Sequence, residues 1–189
     1  MLRRSHELAS ASKPHTDPVL RCAYVDLDRT LRGAGGSFLH DADGAFTLLG
    51  ARALEACERA GAELVPHSAE PPAAVEPVAR LLGVRAWIAD AGELLVLDGD
   101  EETAGGLPEA VARHLRARAC APEDAIAVGA ELGLEAAVGT LWLAGGALDD
   151  PFLRLELEDR ARVRMAEERG PAAVYEAVMT TLAERGRGA

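Results

Sequence analysis

The sequence predicts an α/β domain, a Rossmann-like, doubly wound parallel sheet flanked by helices. Three observations point there. Short apolar runs alternate with stretches of helical spacing. The runs end on small or polar residues (Asp26, Ser68, Gly129), as strands do where chemistry sits at their carboxyl ends. The helical stretches carry boundary signals: Gly61 and Gly83 as stops, Pro171 as a start.

Each element follows in order. Residues 1–18 are polar, contain Pro14 and Pro18 and show no period, which predicts a disordered tail before a folded domain over 19–189. Leu20 to Val25 reads as a buried parallel strand delivering Asp26. Residues 29–47 are Gly-rich and irregular, a loop or small hairpin. Gly50 to Ala60 has helical spacing in Leu54, Ala56, Cys57 and Ala60. Glu63 to His67 is a second strand, Pro72 to Leu82 a helix, Arg85 to Ala89 a third strand, and Glu93 to Leu97 a further one before the turn Asp98-Gly99-Asp100. Pro108 to Ala119 is helical and Ala125 to Val128 a strand. A short Ala-rich helix, the strand Thr140 to Ala144 and a short strand over Val163 to Ala166 follow, before the final helix from Pro171 to about Arg185.

Length and composition bound the function. A chain of 189 residues with 49% apolar and 27% charged residues suits one globular domain. The net charge of −11 repels phosphate backbones and excludes nucleic acid as a natural partner. Cys22, Cys57 and Cys120 are odd in number and lack zinc-ligand or redox spacing, which predicts buried thiols in a reducing, cytoplasmic setting. The N-terminus has charge but no apolar core of a secretory signal, and no run is long enough to span a membrane.

The run Cys22-Ala23-Tyr24-Val25-Asp26-Leu27-Asp28-Arg29-Thr30-Leu31 carries the strongest chemical signal. Two aspartates at i and i+2 beyond an apolar strand can both turn toward one phosphoryl group. With Thr30 behind them, this segment resembles the first motif of haloacid-dehalogenase-like (HAD) phosphatases. Leu64-Val65-Pro66-His67-Ser68 resembles the second motif, a strand ending in a phosphate-binding hydroxyl. Phe46 to Arg52 and Val174 to Val178 resemble bacterial members akin to the sugar-phosphate phosphatases. The resemblance implies Asp26 as nucleophile and Asp28 as acid–base group, with Thr30 and Ser68 on the phosphate and Mg²⁺ held by Asp26 and Asp28. A small phosphorylated ligand is the implied partner.

The departures from that pattern weigh against full activity. The stretch matching the third motif, Gly105-Gly106-Leu107-Pro108-Glu109-Ala110, lacks its Lys, and Lys13, the lone lysine, lies in the tail. The fourth motif reads Gly129-Ala130-Glu131-Leu132-Gly133-Leu134-Glu135, with Ala130 where the first Asp belongs. It leaves open whether Glu131 or Glu135 reaches a metal. Arg29 stands where relatives carry Gly; it either crowds the phosphate or replaces the lost lysine charge, and the sequence leaves both open. Residues 99–107 pass almost directly to the next helix, so no sizeable cap is expected. Each missing electrostatic group costs ~10²–10³ in rate. The expectation is a protein with weak or lost phosphatase activity, turned to binding or another acid–base reaction. The alternatives are an active Mg²⁺-dependent phosphohydrolase with Arg29 and Glu131 or Glu135 as replacements, and a non-catalytic module whose open face is covered in a homodimer.

Weaker signals have simpler explanations. Gly33 to Gly36 lies outside Rossmann spacing, and Asp41-Ala42-Asp43-Gly44 has its glycine too early for a calcium loop. The acids around Asp98 to Glu102 read as a solvated turn. Alternation along a strand argues against a His67–Ser68 dyad. His6, His15, His40 and His114 are expected at the surface, and Trp87 and Trp142 in the core.

Overall fold

The computed structural model describes residues 19–131, 133–145 and 160–186; the expected tail over 1–18 lies outside them. Eight strands form one sheet: β1 (Cys22–Asp26), β2 (Glu63–His67), β3 (Ala86–Ala89), β4 (Leu94–Leu97), β5 (Asp100–Thr103), β6 (Ala125–Gly129), β7 (Thr140–Leu143) and β8 (Val163–Met165). Their spatial order is β5-β4-β3-β2-β1-β6-β7-β8. The run from β3 through β1 to β8 is parallel, whereas β3-β4 and β4-β5 are antiparallel. From β1 the chain builds outward to one side, then returns to build from β6 to the other. The crevice where the order reverses lies between the ends of β1 and β6, the usual ligand position in such sheets.

Central position explains the composition of β1. Both faces are covered, so Cys22, Ala23, Tyr24 and Val25 are all buried and no polar alternation is required. Its side chains divide between two cores. Ala23 and Val25 pack with residues of α1 (Leu49–Ala60), α2 (Pro72–Leu82) and the C-terminal helix α4 (Pro171–Gly186). Cys22 and Tyr24 pack with α3 (Leu107–Ala117) on the opposite face. The observed elements match the expected fold class. Trp87 and Trp142 are buried.

Three expectations are corrected. The acids after Asp98 continue into β5, whose residues are all exposed; it forms because its backbone pairs with β4 along one edge. Among its described residues, the Ala-rich stretch after β6 makes a single 3₁₀ turn, Leu134–Ala136. His114 is fully buried, on the face of α3 that meets the sheet. Residues 29–47 hold a 3₁₀ turn at Ala34–Gly36 and an isolated antiparallel bridge between His40 and Phe46.

Candidate functional site

Where β1 ends, the chain folds back on itself. The Leu31 N–H donates to the Asp26 carbonyl at 3.0 Å, and the Arg32 N–H to that of Leu27 at 3.0 Å. Leu27 and Leu31, both fully buried, anchor the loop from below. Their anchoring leaves Asp26, Asp28 and Thr30 gathered at the sheet's carboxyl edge. Asp26 Oδ1 accepts the Asp28 N–H at 3.1 Å, and Oδ2 accepts the buried Thr30 hydroxyl at 3.3 Å.

Asp28 is held from two directions. Its Oδ2 accepts the Ser68 hydroxyl at 2.7 Å, while Oδ1 pairs with the Arg32 guanidinium. Ser68 Oγ also accepts the Glu70 N–H at 3.0 Å, and Arg32 reaches the Glu70 carboxylate at 3.3 Å. Asp28, Ser68, Glu70 and Arg32 therefore form a closed ring linking the ends of β1 and β2. Arg32 and Glu70 escaped the sequence reading. Arg32 stands four residues after Asp28 in an irregular segment, where no period marks a side chain as facing inward.

The register sets what lies beside Asp26. It is level with His67 on β2, and on the other side Gly129 follows Val128, the partner of Val25. A Cβ on Gly129 would lie 2.9 Å from the Asp26 Cβ, so glycine is the residue that lets the two strand ends approach. Burial raises the Asp26 pKa from its ordinary 3.8 to about 6, outweighing its hydrogen bonds. The charges of Asp28 and Glu131 push in the same direction. His67 is buried with its Nε2 unpartnered, and burial lowers its pKa to about 4, so it is neutral near pH 7.

A cleft of about 640 Å³ opens beside the ring, lined by Asp28, Arg29, Arg32, Glu70 and Arg169 among others. Arg29 is exposed and left-handed, with φ of 62°. That conformation is comfortable for glycine and costs a bulky side chain roughly 1–2 kcal/mol.

The residues after β6 are arranged differently. Glu131 is exposed, close enough to affect the Asp26 charge. The Glu135 carboxylate accepts the Gly133 N–H at 2.6 Å and pairs with Arg160 at 2.8 Å. Among the described residues, no three donors of Asp26, Asp28, Glu131 and Glu135 lie within 4.8 Å of one another. Asp28 is engaged by Arg32 and Ser68 and Glu135 by Arg160, which leaves Asp26 and Glu131 as the carboxylates that would hold Mg²⁺, with water and phosphate oxygens completing its octahedral shell. The third-motif stretch does not bring a cation. It forms the start of α3, whose Arg113 and Arg116 pair with Glu109.

No protein-family model and no curated protein matches the sequence. Solved structures do. The 3-deoxy-D-manno-octulosonate 8-phosphate phosphatase of Yersinia pestis superposes with a TM-score of 0.62 at 16% identity, over 90% of this chain and 84% of its own. The sucrose-phosphatase of Synechocystis gives 0.63 at 11% identity, over 86% and 98%. A putative HAD family hydrolase from Streptomyces avermitilis gives 0.56 at 19% identity, over 88% and 93%. With Asp26 and Ser68 at adjacent strand ends and a sheet that reverses order beside β1, the chain has the HAD-like fold, of the type found in sugar-phosphate phosphatases.

Proposed function

We propose that this chain is a HAD-like protein that binds a small phosphorylated molecule at the Asp26–Asp28 corner and hydrolyses it weakly or not at all. One observation carries the reading: the corner is assembled, but the groups that would drive phosphoryl transfer from it are occupied elsewhere. Asp26 and Thr30 stand at the end of β1 with Ser68 across from them. Asp28 is tied to Arg32 and Ser68, Glu135 to Arg160, and the described residues include no lysine.

The chain's own residues define what the cleft can do. Arg29 lines it beside the Arg32–Asp28–Glu70 group, and guanidinium groups suit phosphate oxygens through paired N–H donors. Asp26, protonated below about pH 6, can donate a proton to a bound oxygen; above that pH its charge opposes an anion. Mg²⁺, where a site holds it, offsets such repulsion and stabilises the charge of transfer. With Asp28 and Glu135 so engaged, the corner favours binding over turnover. Only Ala104–Gly106 separate β5 from α3, which supports a cleft without a cap inserted at that point.

Titration of inorganic phosphate into the pure protein, followed by backbone amide NMR, tests this. Shifts at Asp28, Ser68 and Glu70 that vanish in Arg32→Ala are the expected result. Absence of binding at millimolar phosphate overturns the reading.

A further inference from the structure

A second cluster lies at the other end of β1. Cys22 opens that strand and Asp26 closes it, so the two ends stand roughly 13 Å apart by strand rise. Cys22 pairs in register with Glu63, the first residue of β2. From the layer above, α3 presents His114. One donor atom each from Cys22, Glu63 and His114 lies within 4.8 Å of the other two. Cys120, three residues past the end of α3, joins the same core, and its thiol is near enough to influence that of Cys22.

The surroundings orient this cluster as an outer shell orients metal ligands. His114 Nδ1 is 2.7 Å from the Tyr24 hydroxyl, which fixes the ring. Its Nε2 is buried without a hydrogen bond and faces Glu63 Oε2 at 3.3 Å. Arg118 grips the same carboxylate through Nε at 2.7 Å and Nη2 at 2.9 Å, and continues to Asp98 at 2.7 Å. The Tyr24 hydroxyl also lies 3.5 Å from the Val111 carbonyl. With the Tyr24 proton on the Val111 carbonyl, Nδ1 carries the imidazole proton and the Nε2 lone pair faces the carboxylate; with the Tyr24 proton on Nδ1, Nε2–H donates to Glu63 instead. In the first arrangement a cation between Cys22, Glu63 and His114 satisfies all three. A cleft of about 420 Å³ reaches Glu63 and Arg118 from solvent, with neither Cys22 nor His114 in its lining.

We propose that Cys22, His114 and Glu63 form a binding site for a zinc-class cation, independent of the Asp26 corner. Sulfur, imidazole and carboxylate together are a borderline-soft set that suits Zn²⁺ and disfavours Mg²⁺. Tetrahedral ligands at 2.0–2.3 Å from the metal stand about 3.3–3.8 Å from one another, so closure requires contraction of the cluster by about 1 Å. Binding replaces the thiol proton of Cys22 with the metal and releases it to solvent.

The test uses the reduced, metal-stripped full chain titrated with Co²⁺. One equivalent is expected to give a thiolate-to-cobalt charge-transfer band that Zn²⁺ then abolishes. Cys22→Ser should remove the band, Tyr24→Phe should weaken binding about tenfold, and both Cys57→Ser and Asp26→Asn should leave it intact. A wild-type chain that gives no such band at stoichiometric Co²⁺ overturns the proposal, whatever the variants do. A band that survives Cys22→Ser in a folded chain also overturns it, since the metal then sits elsewhere. Because Asp26→Asn spares this site, its failure is separate from failure of the phosphate-binding reading.

Discussion

Ser68 donates its hydroxyl to Asp28 at 2.7 Å across 40 residues of sequence, and the same oxygen receives the Glu70 N–H. One buried side chain thereby holds the loop after β1 against the end of β2. Ser68→Ala removes a donor to a carboxylate and an acceptor for a backbone N–H. The expected loss is about 1–3 kcal/mol, measured as the urea midpoint at pH 7. A change below a few tenths of that would show that the ring contributes nothing to holding the loop.

Asp26 and His67 titrate against each other. With its folded pKa raised from 3.8 to about 6, Asp26 keeps a proton that the unfolded chain has lost. It therefore makes stability fall as pH rises from about 4 to 6. His67, lowered from 6.5 to about 4, is neutral in the folded chain while the unfolded chain is protonated, so it makes stability rise over nearly the same interval. The two slopes offset. Asp26→Asn removes one of them: the variant should be about 1–2 kcal/mol more stable than wild type at pH 7.5. It should also lose stability on acidification from pH 6.5 to 4, at up to about 1.4 kcal/mol per pH unit. Denaturant titrations at several pH values would show this; parallel curves for the two proteins would contradict it.

Sulfate reports the same carboxyl without titrating itself in this range. As Asp26 gains its proton below about pH 6, repulsion of an anion at the Asp26–Asp28 corner declines. Sulfate affinity should rise several-fold between pH 7.5 and 5 in wild type. In Asp26→Asn the rise should be much smaller. Calorimetry at the two pH values separates these outcomes.

Arg29 holds a left-handed backbone, φ 62°, where glycine would be unstrained. Arg29→Gly relieves roughly 1–2 kcal/mol of strain and gives back part of it through the freer unfolded chain. Stability should change by less than about 1 kcal/mol, in the stabilising direction. Sulfate affinity should fall, because the arginine supplies charge to the cleft. A rise in affinity would mean that the side chain crowds the anion.

Much of the site was legible because it lies on regular structure. An apolar strand must end somewhere, and the residues at its end, Asp26 on β1, Ser68 just after β2 and Gly129 on β6, could be placed by pattern. What depended on contacts was not legible. Arg32 lies in a loop without a period. Nothing in the spacing of Glu135 says that Arg160, 25 residues later, would engage it. His114 looked like a surface residue because α3 is otherwise rich in charge, yet its ring reaches Tyr24 across 90 positions. Asp100 to Thr103 lacks the apolar alternation of a strand, and forms one only through its antiparallel partner.

The most direct test is turnover. Purified wild type and Asp26→Asn are incubated with a small phosphate ester and millimolar Mg²⁺, and phosphate release is followed over hours. The donor arrangement predicts release from wild type at no more than a small excess over the variant, even where phosphate binding is measurable. Rapid Mg²⁺-dependent release by wild type, abolished by Asp26→Asn, would show instead that the corner assembles a working metal site when substrate arrives.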